Sequence, residues 1–132
     1  MRLQATYLEF MPLILILDDD QEFLDILKSY LQNHGFEVVT ASYTADIFIL
    51  IQEHQPRLII LDFLINGLNG GEICSVIKKN PQTVAIPVIL MSAFDKLIYS
   101  LGNYGYDVFL SKPFDLTTIL IHVKNLTHHD EL

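Results

Sequence analysis

Leu13–Leu27 reads LILILDDDQEFLDIL: five aliphatic residues, three carboxylates, then apolar residues at helical spacing. So short an uninterrupted apolar run suits a strand covered on both faces. Phe23, Leu24, Leu27 and Leu31 then place one stripe on a helix, and Gly35 stands where a C-terminal cap belongs. A buried strand that turns an acidic corner into a helix is one βα unit, and the unit recurs along the chain. "FEVVTA" (36–41) reads as a strand before a helix over Thr44–His54 that stops short of Pro56. "RLIIL" (57–61) is a buried strand, "DFLINGLNGG" a loop rich in Asn and Gly, and Glu72–Lys79 a helix. "IPVILM" (86–91) precedes a weak helix over Asp95–Leu101, and "DVFL" (107–110) a closing helix over Leu116–Leu126. Five strands alternating with five helical segments predict a doubly wound α/β fold, with a five-stranded parallel sheet, right-handed crossovers and helices on both faces.

With 132 residues, 51% of them hydrophobic, the chain suits one domain with a sizeable core. Its longest apolar run falls short of the roughly 18 residues that indicate a membrane span, so no membrane association is expected. Residues 1–10 lack a basic n-region followed by an apolar core, and the run after Pro12 ends in acid, so export is not expected either. Cys74 is the only cysteine and cannot form an internal disulfide; nothing calls for an oxidising compartment, and the expected location is the cytoplasm. A formal net charge of -8 and a pI near 4.8 argue against direct nucleic-acid binding, which relies on clustered Lys and Arg. Only 18% of residues are charged and mean hydropathy is +0.35, which predicts exposed apolar surface and hence self-association or a protein partner.

Open parallel sheets bind ligands beyond the carboxyl ends of their strands. Asp18 and Asp19 follow the first strand, Asp62 the third, Ser92 the fourth, and Lys112 with Pro113 the fifth. Two carboxylates about 4 Å apart repel by roughly 4 kcal/mol at an effective dielectric of 20, equivalent to about three pKa units. Acids so gathered need a proton or a cation, and an oxygen-only donor set favours Mg²⁺. Asp20 alone is best read as the cap of the following helix. Capping does not explain why a separate strand delivers Asp62 to the same rim. Lys112 by itself would be a solvated lysine and Ser92 an ordinary turn residue; beside three acids, Lys112 reads as a fixed counter-charge. Cys74 reads as a small buried hydrophobe. His122, His128 and His129 lie near a chain end without partner ligands and read as solvated surface. "DIFILIQ" (46–52) is apolar nearly all round, which calls for deep cover by the sheet or for a partner.

The stretches "ILILDDD", "RLIILDFLINGLNGGEIC", "IPVILMSAFD" and "VFLSKPF" resemble, in order and spacing, the motifs of response-regulator receiver domains of two-component signalling. The resemblance runs from Pro12 to Leu126. It implies an N-terminal extension over 1–11, a receiver domain over 12–127, a tail over 128–132, and the flavodoxin-like strand order 2-1-3-4-5. It implies that Asp62 is the phosphoacceptor, taking phosphate from a phosphohistidine on a sensor histidine kinase or phosphotransfer protein. Asp18, Asp19, Asp62 and the backbone carbonyl of Leu64 would hold Mg²⁺, with Asp19 the more direct ligand of the first two. Lys112 would supply a second cation and Ser92 a hydroxyl to the phosphoryl group. Movement of Ser92 would let Phe109, on the fifth strand, turn inward as a switch. Leu64 and Phe94 stand at the positions that tune water access, and their bulk predicts slow self-dephosphorylation.

Relatives often have Pro where this chain has Asn66, which predicts a less rigid loop after the acceptor. The resemblance implies a signalling domain, able to assist its own phosphorylation and dephosphorylation, and not an enzyme with a separate substrate. Output is expected through contacts of the fourth helical segment, the fifth strand and the closing helix with a downstream protein or a second copy. Tyr99, Leu101, Tyr104 and Tyr106 contribute to that face. Three rivals stand beside this reading. A haloacid-dehalogenase-type phosphatase would use the Asp-x-Asp of Asp18 and Asp20, but leaves Asp62 without a role. A flavin carrier of the same fold would need a hydroxyl-rich phosphate loop after the first strand. A phosphate-independent receiver-like scaffold would not need the acids and Lys112 intact.

Overall fold

The structure, a computed structural model, describes residues 11–93 and 104–127. Its central sheet contains β1 (Leu13–Leu17), β2 (Glu37–Ala41), β3 (Leu58–Asp62), β6 (Val88–Ser92) and β7 (Val108–Ser111). All neighbouring pairs are parallel and the spatial order is β2-β1-β3-β6-β7, the expected order 2-1-3-4-5 once a small hairpin is set aside. That hairpin, β4 (Leu64–Ile65) with β5 (Leu68–Asn69), lies within the stretch read as a loop. Its central residues Asn66 and Gly67 have φ of 46° and 83°, and Asn-Gly is the pair that a two-residue turn with both φ positive prefers.

The strands are buried on both faces, and alternate residues serve opposite layers. Ile14, Ile16, Leu58 and Ile60 pack with α1 (Gln21–Gln32) and α4 (Leu116–Thr127). Leu15, Leu17, Ile59 and Leu61 pack with α2 (Ile47–His54) and α3 (Gly70–Lys79). Each such aliphatic side chain contributes about 1.5–3 kcal/mol of burial.

Helix ends follow side-chain capping. Asp20 caps α1 by accepting from the Phe23 N–H at 3.1 Å, and Gly35, with φ of 92°, follows the helix as expected. The expected stripe is present, with Leu24, Leu27 and Leu31 fully buried. α2 begins three residues later than the spacing suggested, because Asp46 accepts from the Phe48 N–H at 2.9 Å and so ends the extended segment there. It stops before Pro56, with Gln55 in the left-handed region at φ 52°. Ile47 and Ile51 face the sheet while Ile49 is exposed, so the sheet covers only one side of the apolar "DIFILIQ" stretch. α3 starts earlier than Glu72, since Asn69 takes the Glu72 N–H at 3.1 Å and the two glycines already belong to the helix. Cys74 is fully buried as expected, and burial pushes its thiol up to about 12. No helix among the described residues is long and apolar enough to cross a membrane. The expected helix over 95–101, with Tyr99 and Leu101, and the residues Phe94, His128, His129 and 1–10 lie outside the described residues.

Candidate functional site

The backbone ladder continues one step past the strand ends and thereby fixes where each polar residue sits. The Asp18 N–H donates to Ala41 O at 3.1 Å, Phe63 to Met91 O at 2.8 Å, and Lys112 to Ser92 O at 2.8 Å. Side chains from β1, β3 and β7 therefore converge on one rim. Carboxylate oxygens of Asp18, Asp19 and Asp62 lie within 4.8 Å of one another, the only group of three or more potential metal-binding side chains among the described residues. Lys112 Nζ lies 2.6 Å from Asp18 Oδ2 and 3.0 Å from Asp62 Oδ1, and 4.4 Å above the Phe23 ring centroid. The Lys112–Pro113 peptide is cis. Ser92 is buried at the end of β6.

Three of the other carboxylate oxygens are held by main-chain donors. Asp18 Oδ1 accepts from Asp20 N at 2.9 Å, Asp62 Oδ2 from Leu64 N at 3.3 Å, and Asp19 Oδ2 from Asn66 N at 3.0 Å. Asp20 itself caps α1, so its carboxylate is not one of the three; the second acid of the Asp-x-Asp reading is engaged elsewhere. Asp18, Asp19, Asp62 and Lys112 together carry three carboxylates and one ammonium, leaving an excess of two negative charges. A small hard dication matches that excess and that oxygen-only donor set, so the residues fit Mg²⁺.

Burial is the largest influence on Asp62 and raises its pKa above the ordinary 3.8; the Lys112 hydrogen bond pulls down and the Asp18 charge pushes up, and the net shift is upward. For Lys112 burial alone would lower the pKa, but hydrogen bonds and charge from Asp18 and Asp62 outweigh it and hold it above 10.5. The two directions are compatible, because the lysine faces two anions whereas Asp62 faces one cation and one anion.

A raised carboxyl pKa means that ionised Asp62 is less favourable in the fold than in the unfolded chain, so stability falls as pH rises from the ordinary value of 3.8 through the raised one. Asp62→Asn should therefore unfold at higher urea than the wild type at pH 7 without divalent ions, and lose that advantage below about pH 4. Urea titrations at the two pH values check this; equal midpoints at pH 7 would contradict it.

Phe109 on β7 is half-buried, its ring 5.8 Å from that of Tyr106 and packed toward the α2–α3 layer. Tyr104 is half-buried as well, its ring 6.0 Å from Phe63, the neighbour of Asp62. Leu64 is about half exposed on the rim. His122 is partly exposed on α4 and joins no metal-binding group among the described residues. Two contributors escaped the reading of the sequence. Phe23 packs against the core with its stripe and also lies beneath the lysine, and Asn66 ties its loop down where the missing proline predicts a looser one: its side-chain N–H donates to Ser42 O at 2.9 Å. The Asn-Gly pair was the available signal for the second.

Residues 14–124 match the family model described as response regulator receiver domain. The chain is 31% identical over 118 residues to the DNA-binding dual master transcriptional regulator RpaA of Synechocystis sp., covering 88% of this chain and 49% of that protein. It is 33% identical over 115 residues to the transcriptional regulatory protein GltR of Pseudomonas aeruginosa, covering 86% and 48%. The chain thus spans about half the length of these curated relatives. Among solved structures, the response regulator protein TrrA from Thermotoga maritima in complex with Mg²⁺-BeF superposes with a TM-score of 0.78 at 28% identity, covering 88% of this chain and 99% of that one. The signal receiver domain of a signal transduction histidine kinase from Syntrophus aciditrophicus gives 0.79 at 29% identity, covering 89% and 90%. With a family match over most of its length, and the family's sheet order and acidic rim in place, the chain belongs to the response-regulator receiver domains of two-component signalling.

Proposed function

We propose that the chain accepts a phosphoryl group on Asp62 from a phosphohistidine of a sensor histidine kinase or phosphotransfer protein, on the cytoplasmic side, and signals through protein contacts. The observation that carries this reading is the position of Lys112 Nζ, within hydrogen-bonding distance of both Asp62 and the buried Asp18 at a rim that also holds Asp19. In the transfer a carboxylate oxygen of Asp62 bonds to phosphorus as the donor P–N bond breaks, the electron pair leaving with the imidazole nitrogen. Asp18, Asp19, Asp62 and the Leu64 carbonyl would hold Mg²⁺, which when bound offsets the negative charge of the phosphoryl oxygens. Lys112 supplies a second positive charge to those oxygens, and Ser92 a hydroxyl donor. The two anions that flank the lysine outweigh its burial and keep it protonated for this role.

A cavity of about 370 Å³, lined by Phe23, Ala93, Pro113, Phe114 and others, opens beside the lysine. Phe109 is the residue that would change packing with Ser92, and the β7 and α4 face, with residues 95–101, is the proposed contact surface for a downstream protein or a second copy. Residues 12–127 form the receiver unit in this reading.

Incubation with acetyl phosphate and Mg²⁺ tests the assignment: a mass gain of one phosphoryl group is expected, absent in Asp62→Asn and retained in Asp20→Asn. Labelling that persists in Asp62→Asn, or none in the wild type, would refute it. Leu64, half exposed two residues past the acceptor, and Phe94 are proposed to shield the acyl phosphate from water. Leu64→Asn, alone or with Phe94→Glu, should shorten the phosphorylated lifetime severalfold, read from loss of the mass gain over time; an unchanged lifetime would remove the shielding role.

A further inference from the structure

Asn66 joins three connections that leave the same edge of the sheet. It sits in the hairpin after β3, its N–H donates to Asp19 Oδ2, which follows β1, and its side chain donates to the carbonyl of Ser42, which follows β2. Both bonds depend on its backbone shape. At φ 46° the residue lies in the left-handed region, which Asn adopts more readily than most residues and Pro, fixed near -65°, cannot. Proline would also remove the N–H that Asp19 uses. Asp19 is exposed, whereas Lys112 pairs with Asp18 and Asp62, so the Asn66 amide is the restraint on a carboxylate that would otherwise swing into solvent.

We propose that Asn66 is a positioning residue, which holds the Asp19 carboxylate at the acidic rim and ties cation binding there to the ordering of the β2–α2 connection over 42–46. This rests on the reading of the rim as a Mg²⁺ site. The amide fixes one Asp19 oxygen, and the side chain fixes the amide by anchoring the turn to Ser42. A cation that draws on Asp19 pulls on the hairpin and, through it, on the connection before α2. No contact between Asp19 and residues 42–46 is needed for that link.

Mg²⁺ alone is the probe, titrated into the full chain while amide hydrogen exchange is followed. The wild type is expected to gain protection over 42–46 as Mg²⁺ binds. Asn66→Gly keeps the N–H and the positive φ but deletes the tether to Ser42; it should weaken Mg²⁺ about three- to tenfold, the worth of one hydrogen bond, and lose the linked protection. Asn66→Pro removes both bonds and should weaken Mg²⁺ further, with thermal unfolding confirming that each variant is folded. Asn66→Gly with wild-type affinity and wild-type protection over 42–46 would overturn the proposal while leaving the cation site standing. A wild type that binds no Mg²⁺, like Asp19→Asn, would overturn both.

Discussion

Lys112→Met should unfold about 3 kcal/mol more easily than the wild type in divalent-free buffer at pH 7, and label with acetyl phosphate at least about a hundredfold more slowly. The stability loss follows from Asp18, 1% exposed, whose Oδ2 lies 2.6 Å from the ammonium. Truncating one partner of a buried ion pair leaves the other charge uncompensated, which typically costs 3–5 kcal/mol; the lower end applies because Lys112 is partly exposed and its partners sit at a rim. The lysine's pKa is raised in the fold, so its contribution is fully present below the ordinary value of 10.5 and is lost as pH rises through the raised one. The gap between wild type and variant should therefore persist from pH 7 to about pH 10 and narrow above that. Added Mg²⁺ should restore part of the stability, because it supplies positive charge to the same carboxylates. The labelling loss follows from the second contact, 3.0 Å to Asp62, which puts the ammonium where charge accumulates during transfer. Urea titrations with and without Mg²⁺, run beside the labelling time course, separate the two effects. A variant as stable as the wild type without Mg²⁺ would show that Asp18 does not depend on this lysine.

The strand-and-rim pattern was legible in the sequence because it is carried by local periodicity and by residue type. Leu13–Leu17, Leu58–Leu61 and Val88–Met91 are apolar at every position since both faces are covered, and the acids and lysine follow where the apolar runs stop. Which neighbours share a face was also legible on α1, whose stripe turns inward as spaced. Long-range partners were not. Asp20 reads as a cap from its place before the helical stripe, and it caps α1; that Lys112, distant in sequence, reaches Asp18 is written in neither neighbourhood. Phe23 fits the apolar stripe equally well whether or not a lysine lies over its ring. The late start of α2 turned on a competition between periodicity and the Asp46 cap, which helical spacing alone cannot resolve. At Asn66 the turn is local, carried by Asn-Gly, whereas the partners that tie it down, Asp19 and Ser42, are distant in sequence.

The largest effect of a single methyl group is expected at Gly70. Its φ is not in the left-handed region, so no backbone conformation reserved for glycine is at stake and the constraint is one of space. A Cβ there would lie 1.9 Å from the Asp62 carbonyl oxygen, 2.9 Å from the Asp62 carbonyl carbon and 3.1 Å from Phe63 Cα. All three are backbone atoms, which cannot turn aside as a side chain does. The approach is close because the Gly70 N–H donates to Phe63 O at 2.7 Å, binding the first turn of α3 to the backbone just past the proposed phosphoacceptor. Gly70→Ala must move either the helix or that peptide, and should destabilise the fold by about 3 kcal/mol or more, the upper range for an overpacked site. Any folded fraction should also label poorly with acetyl phosphate, since the displaced atoms carry Asp62. Gly67→Ala is the matched control. Gly67 does have a positive φ, 83°, but a Cβ there meets nothing within 4 Å, so alanine should cost only about 1 kcal/mol of backbone strain. Urea unfolding of the two variants distinguishes crowding from conformation. If Gly70→Ala were no worse than Gly67→Ala, α3 could not approach β3 as closely as it does here, and the acid would not be braced from below.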